Sequence, residues 1–379
     1  MKDHSIEVHG CHTYDATGAI SPAICLSATF RHPRFGESTG YDYGRVANPT
    51  RESLEKTVAL LERGGRSWAL SSGMAAVQLV FSLLSAGDHV LMSEDLYGGT
   101  VRLAEEVFAG YGVTFEYVDV RDLALVGKRM RSETKLVFIE TPSNPMMQIA
   151  DIAALSALAH ENGALLAVDN TFLSPHFQKP LTLGADIVLH SGTKYLCGHN
   201  DVIAGFLVLK DATSAQAKRI ELLAKSAGPN LSALDSWLML RSIKTLGVRV
   251  ERQAENALAI ARWLGTLPEV TEVLYPGLAD HPGYALQQKQ ASGAGGMISF
   301  KVRSAEIAKA ALGRLHLIAF AESLGGVETL LTYPIAQTHA EMPAALLKRT
   351  GLDDKLLRLS VGIEDVEDLK ADLQQALQG

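Results

Sequence analysis

Seven short apolar runs between residues 67 and 209 constrain this chain more than any other feature of it. They lie at 67–70, 90–92, 114–118, 136–139, 165–168, 187–189 and 204–209. Each is too short for a stable helix and rich in Val, Leu, Ile, Phe or Ala, so each reads as a buried strand. Helical patterns at 73–85, 99–110 and 150–162 separate several of them. Parallel neighbours need a connection long enough to hold a helix, and these connections supply one. The segment therefore predicts an α/β fold with a mostly parallel central sheet covered by helices.

Beyond about residue 215 the pattern changes. Residues 232–264 are helix-prone, with Gly247 as the expected break. Val270, Val273 and Tyr275 precede Pro276-Gly277. A strand at 297–300, an alanine-rich helix at 305–313 and an amphipathic helix at 366–377 follow. This reads as a smaller C-terminal α+β domain. Residues 1–45 are rich in Gly, Pro, His and Thr and show little periodicity, as an extended arm would. The expected division is an arm over 1–45 making dimer contacts, a large domain over 46–240 and a small domain over 241–379. A chain of 379 residues is long enough for two domains, and 47% hydrophobic content supplies their cores.

The net charge of −7 gives no electrostatic footprint for nucleic acid. No apolar run approaches the roughly 18 residues of a membrane span, and Met1-Lys2-Asp3-His4-Ser5 lacks a signal core. Cys11, Cys25 and Cys197 are widely spaced and odd in number, which suits reduced thiols in a cytoplasmic protein.

Chemistry is expected where strands end. Ser71-Ser72-Gly73-Met74-Ala75-Ala76 follows one strand and opens a helix. Its free N–H groups suit a phosphate, although an ordinary N-cap has the same pattern. Asp169 ends the run 165–168. It would hold a protonated ring nitrogen, or serve as a turn or capping aspartate. Lys194, in His190-Ser191-Gly192-Thr193-Lys194-Tyr195, follows the run 187–189 among small residues. Most lysines are solvated, but one fixed and crowded there suits a Schiff base, with the Ser191 and Thr193 hydroxyls near the same phosphate. Tyr97 could stack on a planar ring or be a core or lid tyrosine. Tyr43 and Arg45 lie in the arm, where they form either a surface turn or a phosphate contact across a subunit boundary. Arg358 is a charge inside the apolar segment 356–360, costly unless an anion pairs with it.

Three other patterns carry less. Gly293-Ala294-Gly295-Gly296 precedes a strand rather than a helix, so it is no dinucleotide fingerprint. Gly192-Thr193-Lys194 lacks the order of a nucleotide P-loop. His9, Cys11 and His12 could hold metal, but nothing completes a standard site, and no metal is expected.

Together the motifs resemble the Cys/Met-metabolism family of pyridoxal 5'-phosphate (PLP) enzymes. The similarity runs through Asn48-Pro49-Thr50-Arg51, Ser72-Gly73-Met74-Ala75-Ala76, Glu140-Thr141-Pro142-Ser143-Asn144-Pro145 and Val168-Asp169-Asn170-Thr171-Phe172. It continues through Gly198-His199-Asn200-Asp201, Ala321-Glu322-Ser323-Leu324-Gly325-Gly326 and Arg358-Leu359-Ser360-Val361-Gly362. The resemblance implies PLP-dependent transferase fold type I and a homo-oligomer, a dimer of dimers. It implies that Lys194 bonds PLP and acts as the catalytic base, Asp169 holds the pyridine nitrogen, and Tyr97 stacks on the ring. Asn144 would meet the phenolic oxygen. Ser72, Gly73, Met74, Ser191 and Thr193 would hold the phosphate, with Tyr43 and Arg45 reaching the neighbouring subunit's site. Arg358 and Ser323 would bind the substrate carboxylate, and Arg102 would stand near its distal group. Gly192 departs from the family pattern, where alanine is usual, as do Cys197 and Gly44.

Glu322 precedes the Ser-Leu-Gly turn, as in members that handle cysteine or cystathionine, where it would meet a distal ammonium. The run 332–339, Asn200 and residues 36–40 resemble bacterial cystathionine γ-synthases. That implies γ-replacement of an O-acetyl- or O-succinylhomoserine by cysteine or sulfide, in methionine biosynthesis. Cystathionine β- or γ-lyase activity is the alternative, and a non-enzymatic PLP-fold binding protein is a second.

Overall fold

The computed structural model describes residues 1–11, 17–340 and 342–378. The strands of the large sheet are β1 (Arg66–Leu70), β2 (His89–Ser93), β3 (Thr114–Val118), β4 (Thr134–Glu140), β5 (Leu165–Asp169), β6 (Ile187–Ser191) and β7 (Gly205–Leu209). Their spatial order is β1-β7-β6-β5-β4-β2-β3. The five from β6 to β3 pair in parallel, while β7 runs antiparallel to both β6 and β1. The expected mostly parallel sheet is present, with one reversed strand inside it.

The helices around it are α1 (Asp3–His9), α2 (Pro49–Glu62), α3 (Gly73–Phe81), α4 (Gly98–Leu103), α5 (Leu123–Arg129), α6 (Ile152–Glu161), α7 (Ser174–Phe177), α8 (Ala215–Ala227) and α9 (Ala233–Ile243). Side-chain caps start several of them. Asn48 Oδ1 accepts from Thr50 and Arg51 N–H, and Asp151 Oδ1 accepts from Ala154 N–H. Helices cover both faces of the sheet. One apolar core joins α2 and α6 to one face, and a second joins α3 and α8 to the other.

The long α10 (Leu246–Leu264) leads to a second sheet of β8 (Val270–Leu274), β9 (Met297–Val302), β10 (Ala319–Phe320), β11 (Leu330–Thr332) and β12 (Leu356–Ser360). Its order is β10-β11-β12-β9-β8. With it go α11 (Tyr284–Gln290), α12 (Ala305–Leu312), α13 (Ala344–Thr350) and α14 (Val366–Gln378). This smaller part has its own core, in which α10, α12 and α14 pack on β9 and β12. No described helix is long and apolar enough to cross a membrane.

Three local expectations are corrected. The arm is not extended throughout, because Asp3–His9 forms α1. Ile6 and Glu7 are each 3% exposed on its inner face, and Asp3 pairs with Lys179 at 2.8 Å and with Arg63. A helix of two turns leaves too little periodicity to read in sequence. Gly247 is not the break in 232–264, which falls at Lys244 and Thr245, between α9 and α10. Gly247 lies in the first turn of α10, where a Cβ would come within 2.7 Å of Glu7 Oε2. Its role is close approach. The helix expected over 99–110 widens after Leu103 into a π turn and then a 3-10 turn.

Candidate active site

In open α/β sheets, ligands bind beyond the carboxyl ends of the strands. A cavity of about 270 Å³ opens there, beyond β4, β5 and β6. Ser72, Gly73, Met74, Tyr97, Asn144, Asp169, Ser191, Thr193, Lys194, Glu322, Ser323 and Arg358 all line it. Residues from seven separated stretches of sequence thus converge on one space. A larger groove of about 1020 Å³ beside Asp119, Asp151 and His281 contains none of them and no lysine. The smaller cavity is the chemically equipped one.

One wall is the N-terminus of α3. Ser72 caps it, accepting from Ala75 N–H at 3.1 Å, so the capping role expected of this turn is real. Two glycines bring the turn against its neighbours. A Cβ on Gly73 would lie 2.9 Å from Ser191 Cβ, and one on Gly205 would lie 2.0 Å from the Ser72 carbonyl oxygen. The first turn of α3 therefore packs directly on the ends of β6 and β7. It presents backbone N–H groups and the positive end of the helix dipole, with the Ser191 and Thr193 side chains beside them.

Lys194 is half-buried, and its Nζ donates to Ser323 Oγ at 2.8 Å. Burial, and then the nearby Arg358 charge, lower its amine from the ordinary 10.5 to about 8, against the pull of Glu322. A substantial fraction is therefore free amine near neutral pH, as a nucleophile or base requires.

Asp169 closes β5. Its Oδ1 accepts from Thr171 N–H at 3.0 Å and Thr171 Oγ1 at 2.5 Å, and Thr171 Oγ1 accepts from Ser191 N–H at 2.8 Å. Burial raises its carboxyl, opposed by the Thr171 bonds and by His190. Directly across the β4·β5 ladder sits Glu140, which is 7% exposed and lines the same cavity. Burial and the Asp169 charge push Glu140 well above the carboxylate range. Burial thus lifts both carboxyls, and the Asp169 charge adds to the rise at Glu140. Its Oε2 also accepts from Tyr97 N–H at 3.1 Å. Sequence reading quoted Glu140 in a motif without assigning it to the site. Its pairing with Asp169 depends on strand register, which no local pattern reveals.

Arg358 on β12 is 1% exposed. Nη1 donates to Asn144 Oδ1 at 2.8 Å and Nη2 to the Ser323 carbonyl at 3.1 Å, while Nε has no partner among the described residues. Burial lowers the guanidinium to about 10, with Glu140 opposing, and it stays cationic. A buried cation with an unused N–H is an anion site. The run 332–339 folds over the same wall. Thr332 Oγ1 accepts from Arg358 Nη2 at 3.4 Å, and His339 Nε2 lies 3.0 Å from the Asn144 carbonyl. Burial lowers His339 to about 4, so it is neutral.

Tyr97 is 40% exposed and precedes α4. Its ring folds over Gly99, where a Cβ would lie 2.5 Å from Tyr97 Cε1. Three expected residues stand outside the cavity. Tyr43 and Arg45 are exposed, with the Arg45 guanidinium 5.7 Å from the Tyr43 ring centroid. Arg102 lies on the exposed face of α4. His12, of the His9, Cys11 and His12 group, falls outside the described residues. None of the three cysteines is in a disulfide.

The helix-end cradle at α3, the lowered amine of Lys194 and the buried Asp169 and Arg358 fit PLP, and the protein is a PLP-dependent enzyme of fold type I. More narrowly, the chain belongs to the Cys/Met metabolism PLP-dependent enzyme family, whose sequence model matches residues 4–378. It is 46% identical over 379 residues to the cystathionine γ-lyase of Bacillus subtilis (strain 168), covering 100% of both chains. It is also 46% identical over 365 residues to that organism's cystathionine β-lyase MetC, covering 96% of this chain and 93% of the relative. Among solved structures it resembles a cystathionine γ-synthase from Xanthomonas oryzae pv. oryzae in complex with aminoacrylate and cysteine. There the TM-score is 0.95 at 41% identity, covering 100% of this chain and 98% of the other.

Proposed function

We propose that the protein catalyses γ-replacement: an O-acylhomoserine and L-cysteine give cystathionine and the free carboxylate. The C–O bond at Cγ breaks, a C–S bond forms there, and the thiol proton leaves with the acid. The observation that carries this reading is Glu322. It is exposed on the wall that also holds Lys194 and Arg358, and its charge reaches the Lys194 amine. Arg358 takes the α-carboxylate of the bound amino acid. Glu322 is then placed for an ammonium at the other end, which cysteine and cystathionine have and sulfide lacks.

When bound, PLP supplies an electron sink for negative charge at Cα. Lys194 Nζ is its attachment point and, once released, the base that takes the Cα proton and moves a Cβ proton. Asp169 holds the proton of the pyridine nitrogen, and Glu140, kept neutral, leaves that charge undivided. Tyr97 would cover the ring, and Asn144, whose Oδ1 accepts from Arg358 Nη1, would offer its amide N–H to the phenolic oxygen. Ser72, Gly73, Met74, Ser191 and Thr193 hold the phosphate. Tyr43 and Arg45, exposed and outside this cavity, complete the phosphate site of a neighbouring subunit in a dimer of dimers. Ser323 supports the substrate carboxylate and hydrogen-bonds the resting Lys194. Arg102, outside the lining of this cavity, would stand near the distal group of the substrate.

The end-to-end match to a γ-lyase favours a second reading, elimination from cystathionine by the same residues. Incubation with each acylhomoserine plus cysteine, and separately with cystathionine, separates the two by product. Cystathionine formed from the first mixture is the expected result. Keto acid and ammonia from cystathionine, with no synthesis, would overturn the synthase reading. Lys194→Ala should abolish turnover and the visible band of the bound cofactor. Glu322→Ala should weaken use of cysteine more than use of sulfide, and equal losses would refute its role.

A further inference from the structure

Outside the cavity lining, where α1 docks on α7 and α10, four side chains close into a ring. His176 Nδ1 lies 2.8 Å from Glu7 Oε1, and His4 Nδ1 lies 3.5 Å from Glu7 Oε2. On the opposite side of both rings, His176 Nε2 and His4 Nε2 lie 3.3 and 3.5 Å from the same Glu251 Oε1. Glu7 is 3% exposed and the His176 side chain 8% exposed, so this is no solvated surface pair. One donor atom each from His4, Glu7 and His176 lie within 4.8 Å of one another.

The arrangement poses a protonation problem. A neutral imidazole has one N–H, so it can donate to one of the two carboxylates but not to both. With the N–H on Nε2, toward Glu251, a bare Nδ1 lone pair faces a bare Glu7 oxygen at 2.8 Å. In that tautomer a proton or a metal ion must lie between them, whereas with the N–H on Nδ1 His176 donates to Glu7 and turns a bare Nε2 toward Glu251. A second proton on each ring would serve, and so would one metal ion on the Glu7 side.

We propose that His4, Glu7 and His176 bind a divalent transition metal of the zinc class, with Glu251 orienting both imidazoles. Two imidazole nitrogens and a carboxylate are a donor set such ions take, with bonds of roughly 2.0–2.2 Å. Donors around a tetrahedral ion at that length stand about 3.3 Å apart, close to the His4–Glu7 spacing and reached at His176 by a small opening. Metal-bound histidines commonly donate their other N–H to a carboxylate, and here both Nε2 atoms face one Glu251 oxygen, at 3.3 and 3.5 Å. Two carboxylates and two neutral imidazoles carry a charge of −2, which the ion neutralises. Gly247 leaves the room: a Cβ there would lie 2.7 Å from Glu7 Oε2 and 2.8 Å from His4 Nδ1, and its N–H donates to Glu7 Oε2 at 3.2 Å. The ion would clip the arm helix to α7 and α10, independently of the chemistry at Lys194.

The test uses PLP-loaded protein stripped with chelator. Zn²⁺ is titrated by calorimetry, and Co²⁺ is followed by visible absorption, in the parent and in His4→Gln, Glu7→Gln, His176→Gln and Glu251→Gln. One ion per chain is expected, with a rise in Tm and with Co²⁺ ligand-field bands lacking a thiolate charge-transfer band. Each first-contact variant should weaken binding by at least about 10-fold, and Glu251→Gln by about 10-fold or more. His4 is exposed, so His4→Gln should keep the parent Tm in chelator and still lose the ion. Absence of stoichiometric binding would mean that protons alone hold the ring, and would overturn the proposal. Unchanged affinity in Glu7→Gln and His176→Gln, or a thiolate band, would overturn it as well.

Discussion

Replacing Gly192 by alanine tests how tightly the lysine turn is packed. Gly192 stands two residues before Lys194, where alanine is usual in the family. A Cβ there would lie 2.6 Å from Phe206 Cε2, 3.0 Å from Phe206 Cδ2 and 3.1 Å from Ala204 Cβ. The nearest contact is about 1 Å inside ordinary carbon–carbon contact. Phe206 has no freedom to withdraw, because it is fully buried and pairs with His190 across the β6·β7 ladder. The strain falls partly on the turn itself, where the Gly192 carbonyl accepts from Cys197 N–H at 3.0 Å. Overpacking of this kind costs about 1–3 kcal/mol. Removing glycine's freedom in the unfolded chain offsets about 0.4–1 kcal/mol of that. The net expectation is a loss of up to about 2.6 kcal/mol, read as a Tm lower by as much as a few degrees, with weaker cofactor retention. The assay is thermal unfolding and visible absorbance of Gly192→Ala, Phe206→Leu and the double variant. The two sites touch, so a coupling of about 0.5–3 kcal/mol should appear, the double variant being more stable than the sum of the singles. A Gly192→Ala protein more stable than the parent, or singles that simply add, would refute the reasoning.

The cofactor-free protein should gain stability as pH rises from about 8 to 10.5. Over that interval the folded Lys194 has lost the proton that the unfolded chain still binds. Lys194→Met should flatten that part of the stability–pH curve, and an unchanged slope would assign it to other groups. Glu140→Gln, which mimics the protonated acid, should keep cofactor binding. Glu140→Ala should cost about 1–3 kcal/mol by stranding the Tyr97 N–H, a difference visible in chemical denaturation. On the other face of the sheet, Glu62 is fully buried, with Oε1 2.6 Å from His190 Nε2 and accepting from Asn170 Nδ2 at 2.9 Å. Glu62→Ala should cost about 3–5 kcal/mol, and wild-type stability in that variant would show the pair to be neutral.

Most strands of the large sheet were legible because they are short apolar runs, as burial on both faces demands, whereas β3, half-exposed at the edge, carries Thr114 and Glu116 in its run. The lysine and aspartate were legible because both sit just beyond such runs. Glu140 was not, since only the alignment of β4 with β5 sets it opposite Asp169. Gly247 was misread for a related reason. A glycine signals conformational freedom or close approach, and the partner that decides, Glu7, lies 240 positions away. The helix in the arm escaped notice because two turns with two inward residues make no pattern. The position of Arg45 was open on sequence grounds, and its exposure beside Tyr43 follows from the arm's path over the surface.

The reversal of β7 has a consequence for the order of assembly. β6 and β7 pair over a short chain separation, from Ile187 against Leu209 to Ser191 against Gly205. They can zip early and enclose the lysine turn between them. β1 sits at the sheet edge, where β7 is its one strand partner among the described residues, matching Leu70 to Gly205 across 135 positions, with a single further bridge from Leu70 to Asn230. Ser72 follows β1 directly, so the phosphate cradle is complete only after that distant strand has inserted. Refolding followed by visible cofactor absorbance should therefore lag behind refolding followed by far-ultraviolet circular dichroism. The delay would measure a late edge-strand insertion rather than slow ligand encounter, and it should not shorten as cofactor concentration is raised.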